Sequence, residues 1–113
     1  MNNNIFNLKK KVSLITGGNG GIGLGMAKGL ASSGSNIAII GRNSKKNLKA
    51  KEELKQFNVK IETYAIDVSS ENDVKKTVNK IVNDFGRIDT VFANAGINIF
   101  GGSFENMDTE VYK

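Results

Sequence analysis

Val12-Ser-Leu-Ile-Thr-Gly-Gly-Asn-Gly-Gly-Ile-Gly23 decides how this chain is read. An apolar run of strand length passes into five glycines within positions 17 to 23, and helix-forming residues with an apolar stripe follow at once. Strand, glycine turn and helix in that order are what a phosphate-binding turn requires. A pyrophosphate must approach main-chain N–H groups and the positive end of a helix dipole more closely than any side chain permits, and glycine alone removes the Cβ atoms. Two registers fit. Gly18-x-Gly20-x-x-Gly23 matches the general dinucleotide fingerprint, and Gly17-x-x-x-Gly21-x-Gly23, preceded by Thr16, is one residue longer. Both end at Gly23, on the first turn of the helix. A purely structural glycine turn is the alternative reading, and the flanking strand and helix weigh against it.

Outward from this junction, strands and helices alternate. The patterns predict strands at Val12–Thr16, Asn36–Gly41, Lys60–Val68 and Ile88–Asn94, and helices over Gly21–Ser33 and Ser44–Phe57. In a third helix Val74, Val78, Ile81, Val82 and Phe85 share one face, Ser70-x-x-Asp73 reads as a capping box, and Gly86 is the stop. Such alternation builds βαβ units around a parallel sheet covered on both faces, an α/β fold of the Rossmann-type doubly wound class. About four strands are present, the N-terminal half of such a sheet.

Length allows one domain: 113 residues, 39% hydrophobic and 24% charged, are ordinary for a globular protein. No apolar stretch approaches the roughly 20 residues of a membrane span, and the polar Met1-Asn-Asn-Asn-Ile-Phe start does not resemble a secretory leader. With no cysteine, the expected location is the cytoplasm, without a membrane partner. The net charge of +5 raises nucleic-acid binding as an alternative, but the lysines are interleaved with Glu52, Glu53, Glu71 and Asp73, the pattern of a solvated surface. No nucleic-acid partner is expected. Lacking histidine and cysteine, the chain holds no Ser-His-Asp triad, no cysteine nucleophile and no Cys/His zinc site.

The second strand closes with Ile39-Ile40-Gly41-Arg42-Asn43, roughly 20 residues after Gly23, where dinucleotide folds read the adenosine ribose. An acidic residue there would hold the 2′-hydroxyl of NAD. Gly41 followed by Arg42 instead leaves room for a 2′-phosphate and supplies a guanidinium to pair with it, so NADP is favoured over NAD. The third strand is expected to end on Asp67-Val68, and the fourth to run into Ala93-Asn94-Ala95-Gly96. Taken singly, Arg42 also reads as a solvated arginine at a strand end with Asn43 as a turn former, Asp67 as a turn residue, and Asn94 with Gly96 as a strand-to-turn connection.

The longer glycine register, Thr16-Gly17-x-x-x-Gly21-x-Gly23, resembles the short-chain dehydrogenase/reductase family, and the later motifs extend the resemblance over essentially the whole chain. Asn94-Ala-Gly-Ile-Asn98 with Gly23-Leu-Gly-Met-Ala27 looks most like the gluconate and deoxygluconate dehydrogenase branch, with 3-oxoacyl reductases close behind. The resemblance implies an NAD(P)-dependent oxidoreductase acting on a CH–OH or carbonyl group of a small molecule, a sugar acid or 3-oxoacyl compound. It places Thr16, Gly17, Asn19, Gly21, Ile22 and Gly23 on the pyrophosphate turn, Arg42 and Asn43 at the ribose, Asp67 and Val68 at the adenine, and Asn94, Ala95 and Gly96 beside the nicotinamide ribose. The first Asn of the family's Asn-Asn-Ala-Gly motif is Ala93 here, and any hydrogen bond its amide makes is lost.

Family members place a catalytic serine and a Tyr-x-x-x-Lys motif beyond the fourth strand. Tyr64 is followed four positions later by Val68, and Tyr112 stands one residue before Lys113, so no catalytic residue is assigned. Residues 1–113 are therefore expected to be a single cofactor-binding domain truncated before the catalytic half, inactive alone, whose full-length form is a homo-oligomer. Its fourth strand is expected to leave an unpaired apolar edge, making the isolated chain marginally stable or prone to associate. A stand-alone, non-catalytic dinucleotide-binding module is the alternative.

Overall fold

The computed structural model describes residues 8–17, 20–67 and 69–93. Its elements run β1 (Val12–Thr16), α1 (Gly21–Ser32), β2 (Asn36–Gly41), α2 (Ser44–Leu54), a 3₁₀ turn (Lys55–Phe57), β3 (Ile61–Ala65), α3 (Glu71–Phe85) and β4 (Thr90–Ala93). The four strands are parallel, in the order β3-β2-β1-β4. This is the Rossmann-type arrangement expected from the alternating pattern.

β1 lies between β2 and β4, and all five of its residues are buried. A strand covered on both faces carries apolar side chains on both, which is why Val12, Leu14 and Ile15 follow one another without strict alternation. On one face Ile15, Ile37, Ile39 and Ile61 pack against Ala27, Ala31, Ala50 and Leu54 of α1 and α2. On the other, Leu14, Ala38, Ile40 and Tyr64 pack against Val74, Val78 and Ile81 of α3, with Ile88. The buried side of α1 is Gly23, Ala27 and Ala31, a small-residue ridge at i, i+4, i+8 that lets this helix lie close to the strands it follows.

Several boundaries differ from the sequence pattern, each for a local reason. α1 ends at Ser32, with Ser33 as its cap. The second helix tightens into the 3₁₀ turn after Leu54 and stops at Asn58, which takes the left-handed conformation (φ 58°). β3 is shorter than Lys60–Val68 because its ladder ends where β2 ends: Ala65 pairs with Gly41, whose carbonyl faces the start of α2 and accepts from the buried Asn47 Nδ2 at 2.9 Å. Val68 lies outside the described residues. α3 has the expected cap, with Ser70 Oγ accepting from Asp73 N at 3.3 Å, and it ends on Gly86 at φ 88°.

β4 begins at Thr90 rather than Ile88, because Ile88 is buried beneath α3 and Asp89 clips β4 to β1. Asp89 N donates to Val12 O at 2.9 Å, Asp89 Oδ2 accepts from Val12 N at 2.8 Å, and Asp89 Oδ1 accepts from Arg87 Nε at 3.0 Å and Nη2 at 2.6 Å. Among the described residues β4 is an edge strand, its Val91 and Phe92 only half-buried.

Burial pushes the Asp89 carboxyl upward, but the Arg87 and Val12 hydrogen bonds and the nearby Arg87 and Lys11 charges outweigh it and hold the group below its ordinary value. A carboxylate whose native pKa is depressed contributes stability that is complete above its unfolded value, about 3.9, and is lost as pH falls through the native value. Asp89→Asn is therefore expected to destabilise the protein by about 1 kcal/mol at pH 7, with the gap to wild type closing at a pH below the depressed native value. Urea denaturation at both pH values measures this; a gap independent of pH would place the carboxylate's role elsewhere.

Candidate functional site

Register sets the site. Thr16 pairs with Ile40 on one side and Ala93 on the other, and Gly41 pairs with Ala65, so the strands end nearly level. Gly17, Arg42 and Ile66 therefore all leave the sheet at its carboxyl edge, where β4 reaches Ala93. From β1 the chain moves outward through β2 and β3, then α3 carries it back across the opposite face to β4 on β1's other side. The crossovers after β1 and after β3 thus run over opposite faces, and ligands of open α/β sheets bind in the crevice at such a switch point.

The turn after β1 is built from backbone. Gly17 N donates to Ile40 O at 2.9 Å, fixing where the turn leaves the sheet, and Thr16 Oγ1 makes a long 3.5 Å contact with Phe92 O. Gly17 and Gly21 adopt positive φ of 69° and 56°, a region that costs an L side chain about 1–2 kcal/mol. A Cβ placed on Gly20 or Gly21 meets nothing within 4 Å, so the space before the turn is open. Ile22 projects outward, 77% exposed, while Gly23 is buried against the sheet. Asn19 lies outside the described residues.

The three helix starts differ in charge. Asn43 Oδ1 caps α2 by accepting from Lys46 N at 3.0 Å, and α3 carries Ser70 with Glu71 and Asp73 in its first turn. α1 starts at the extended Gly20, with no side-chain cap and no acidic residue in its first turn. Its leading N–H groups and dipole are left for solvent or an anion.

The other sequence-predicted positions that are described, Arg42, Asn43 and Asp67, follow the carboxyl ends of β2 and β3. Arg42 is exposed directly after β2 and forms no ion pair among the described residues. Asn43, expected at the ribose, commits its side-chain oxygen to the α2 cap. Asp67 Oδ1 accepts from Ser69 N at 3.0 Å and Ser69 Oγ at 2.7 Å, the turn geometry weighed for it in the sequence. Those two hydrogen bonds, with help from the Arg42 charge, hold its carboxyl below the ordinary range. Val68, Asn94, Ala95 and Gly96 fall outside the described residues. Asn47 was missed: its buried bond to Gly41 O fixes the position of the Arg42 loop. Its signal is a polar residue on the buried helical face otherwise formed by Ala50 and Leu54.

Tyr64 serves the fold. Its hydroxyl donates to Asp84 Oδ2 at 2.7 Å, and burial, then the Asp84 bond and charge, push its pKa far up. A phenol held this way is no proton donor near neutral pH. A cleft of about 500 Å³ lined by Lys9, Phe57 and Lys60 lies at the amino ends of β2 and β3, away from the glycine turn.

The family model described as short chain dehydrogenase matches residues 11–113. The chain belongs to the short-chain dehydrogenase family. It is 39% identical over 102 residues to the NADP-dependent mannitol dehydrogenase of Hypocrea jecorina, covering 87% of this chain and 38% of that one. An NAD⁺-bound xylitol dehydrogenase structure superposes with TM-score 0.77 at 41% identity, over 80% of this chain and 35% of that one. The L-sorbose reductase of Gluconobacter frateurii, complexed with NADPH and L-sorbose, superposes with TM-score 0.76 at 32% identity, over 81% and 35%. This short-chain dehydrogenase sequence spans 33% to 43% of the length of the first curated relatives it matches. Among its described residues no helix is long and apolar enough to cross a membrane.

Two glycine substitutions separate the turn's geometry from its helix. Gly21→Ala is expected to lower stability by about 1 kcal/mol through its positive φ and to abolish dinucleotide binding by placing a methyl group in the open space. Gly25→Ala, one turn along α1 with ordinary φ and open surroundings, is expected to raise stability by about 0.5–1 kcal/mol and leave binding intact. Thermal unfolding and NADPH titration of both variants check the pair.

Proposed function

We propose that this chain is the cofactor-binding half of an NADP-preferring oxidoreductase that interconverts the CH–OH and carbonyl groups of a sugar or polyol. The observation that carries the reading is the coincidence, at one sheet edge, of the uncapped glycine turn and the exposed Arg42. The turn suits a pyrophosphate, and the guanidinium suits a phosphate ester on the adenosine ribose. When bound, the nicotinamide supplies the hydride chemistry. Thr16, Gly17, Asn19, Gly21, Ile22 and Gly23 hold its pyrophosphate, Arg42 and Asn43 the ribose phosphate, Asp67 and Val68 the adenine, and Asn94, Ala95 and Gly96 the nicotinamide side.

The relatives name mannitol, xylitol and sorbose, which favours sugars and polyols, and a 2-dehydro-3-deoxy-D-gluconate 5-dehydrogenase among them supports the sugar-acid expectation as well. Both nicotinamide cofactors occur among them, so Arg42 supports NADP where the names alone divide. Proton transfer to the substrate oxygen is assigned to none of residues 1–113, and Tyr64 is already committed to Asp84. The absence of cysteine suits a reducing compartment, and the proposal carries the cytoplasm with it.

Titration with NADPH and separately NADH, followed by nicotinamide fluorescence, tests the reading. Wild type is expected to bind NADPH more tightly. Arg42→Ala is expected to weaken NADPH by about 10- to 100-fold, the value of a charge-assisted contact, with NADH little changed. An Arg42→Ala variant that keeps the wild-type preference would remove Arg42 from the ribose phosphate.

A further inference from the structure

The lysines of α2 divide into two groups. Toward its end Lys51 pairs with Glu62 at 3.3 Å and Lys55 with Glu52 at 2.7 Å, while Glu53 takes Lys28 of α1 at 2.9 Å. In the first half Lys45, Lys46 and Lys49 are exposed, form no ion pair among the described residues, and have no acidic residue in the first turn beside them. Spacings of three and four place Lys49 beside both Lys46 and Lys45 on the helix surface. Like charges so placed destabilise a helix by a few tenths of a kcal/mol each. The buried side, Asn47, Ala50 and Leu54, fixes the rotation of α2, and the Asn47 bond to Gly41 O fixes its start beside Arg42.

We propose that Lys45, Lys46 and Lys49 are steering residues that draw the more highly charged NADPH to the Arg42 edge faster than NADH, without touching the bound cofactor. The inference rests on the dinucleotide reading above. A 2′-phosphate adds between one and two negative charges to the ligand, so a cationic field favours NADPH association. At 1.5 Å rise per residue, Lys49 lies about 7.5 Å along the helix from Ser44, inside the Debye length of about 10 Å at 0.1 M salt. All three charges therefore act together at low ionic strength, and above about 0.5 M they are screened. The nearby acids alter this little: Glu52 and Glu53 are neutralised by Lys55 and Lys28, and Asp67 lies within the field of Arg42.

Stopped-flow association of NADPH and NADH at 20 mM and 500 mM salt tests the proposal on wild type and the Lys45→Gln/Lys46→Gln/Lys49→Gln variant. The triple variant is expected to associate with NADPH about 5- to 10-fold more slowly at low salt, with koff and NADH association nearly unchanged and the difference gone at high salt. The corresponding triple Arg variant, which keeps the charge, is expected to match wild type. Unchanged NADPH association and salt slope in the Gln variant would overturn the proposal. So would a loss confined to koff, which would make these lysines direct contacts. The underlying reading is checked separately by the equilibrium preference of Arg42→Ala. If that preference persists while the Gln variant slows NADPH, steering stands and the Arg42 contact falls; if wild type binds neither cofactor, both fall.

Discussion

β1 is buried on both faces and hydrogen-bonded along both edges, and that constraint orders everything else in this fold. A strand with no exposed side chain must be followed by a connection that reaches the surface without breaking either ladder. Gly17 does so at φ 69°, its N–H still bonded to Ile40 O as the chain turns away. The polypeptide then re-enters the layer above as α1, pressed down by Gly23, Ala27 and Ala31. Close helix-to-strand packing and an open, Cβ-free turn are two results of one choice of small residues. Larger side chains at 23 or 27 would lift the helix and carry its N-terminus away from the sheet edge where a phosphate must rest.

The same economy governs the neighbouring loop. β2 ends at Gly41 because Asn47, one turn into α2, claims its carbonyl, and the turn between them is held by Asn43 capping Lys46 N. Asn43 and Asn47, four residues apart, thus fix the corner that follows β2, and Arg42, between Gly41 and Asn43, is presented to solvent. Asn43 was expected to serve the ligand and Asn47 was overlooked, yet both shape the corner that presents Arg42. A guanidinium on a fixed corner loses less entropy on pairing with a phosphate than one on a free loop.

The sequence made the architecture legible because each element carries its own period: a continuous apolar run in β1, the helical spacing of Val74, Val78 and Ile81 in α3, glycines at the turns. Boundaries were less legible where a tertiary contact, and not a local preference, ends the element. Nothing in Lys60–Val68 announces that pairing stops at Ala65; the cause is Asn47 on another segment. Nor does Ile88 show that it belongs to the α3 interface instead of β4. Within the site the backbone features were legible, since glycine spacing reports them directly. Side-chain commitments such as Asn43 to its cap and Asp67 to Ser69 depend on rotamers that several neighbours decide together.

Charge is distributed unequally between the two ends of the sheet. At the amino end Asp89 is shared by Val12 and Arg87, while Lys60 donates to Asp84 O and lies 4.7 Å from the Phe85 ring centroid. At the carboxyl end α1 has no side-chain cap, Arg42 has no ion pair among the described residues, and the first turn of α2 holds no acidic residue, the nearest, Glu52 and Glu53, being paired with Lys55 and Lys28. Asp67, turned toward Ser69, is the local exception. Lys10 and Lys11 leave exposed cations at the amino end too, and what sets the carboxyl end apart is that its cations stand beside the open glycine turn. Fixed donors and cations concentrated at one edge act on an approaching polyanion before any contact forms, and the same groups, once the anion is seated, need no reorganisation to hold it. The electrostatic asymmetry follows from the parallel sheet itself: with every strand pointing one way, all helix N-termini gather at the edge where the strands end.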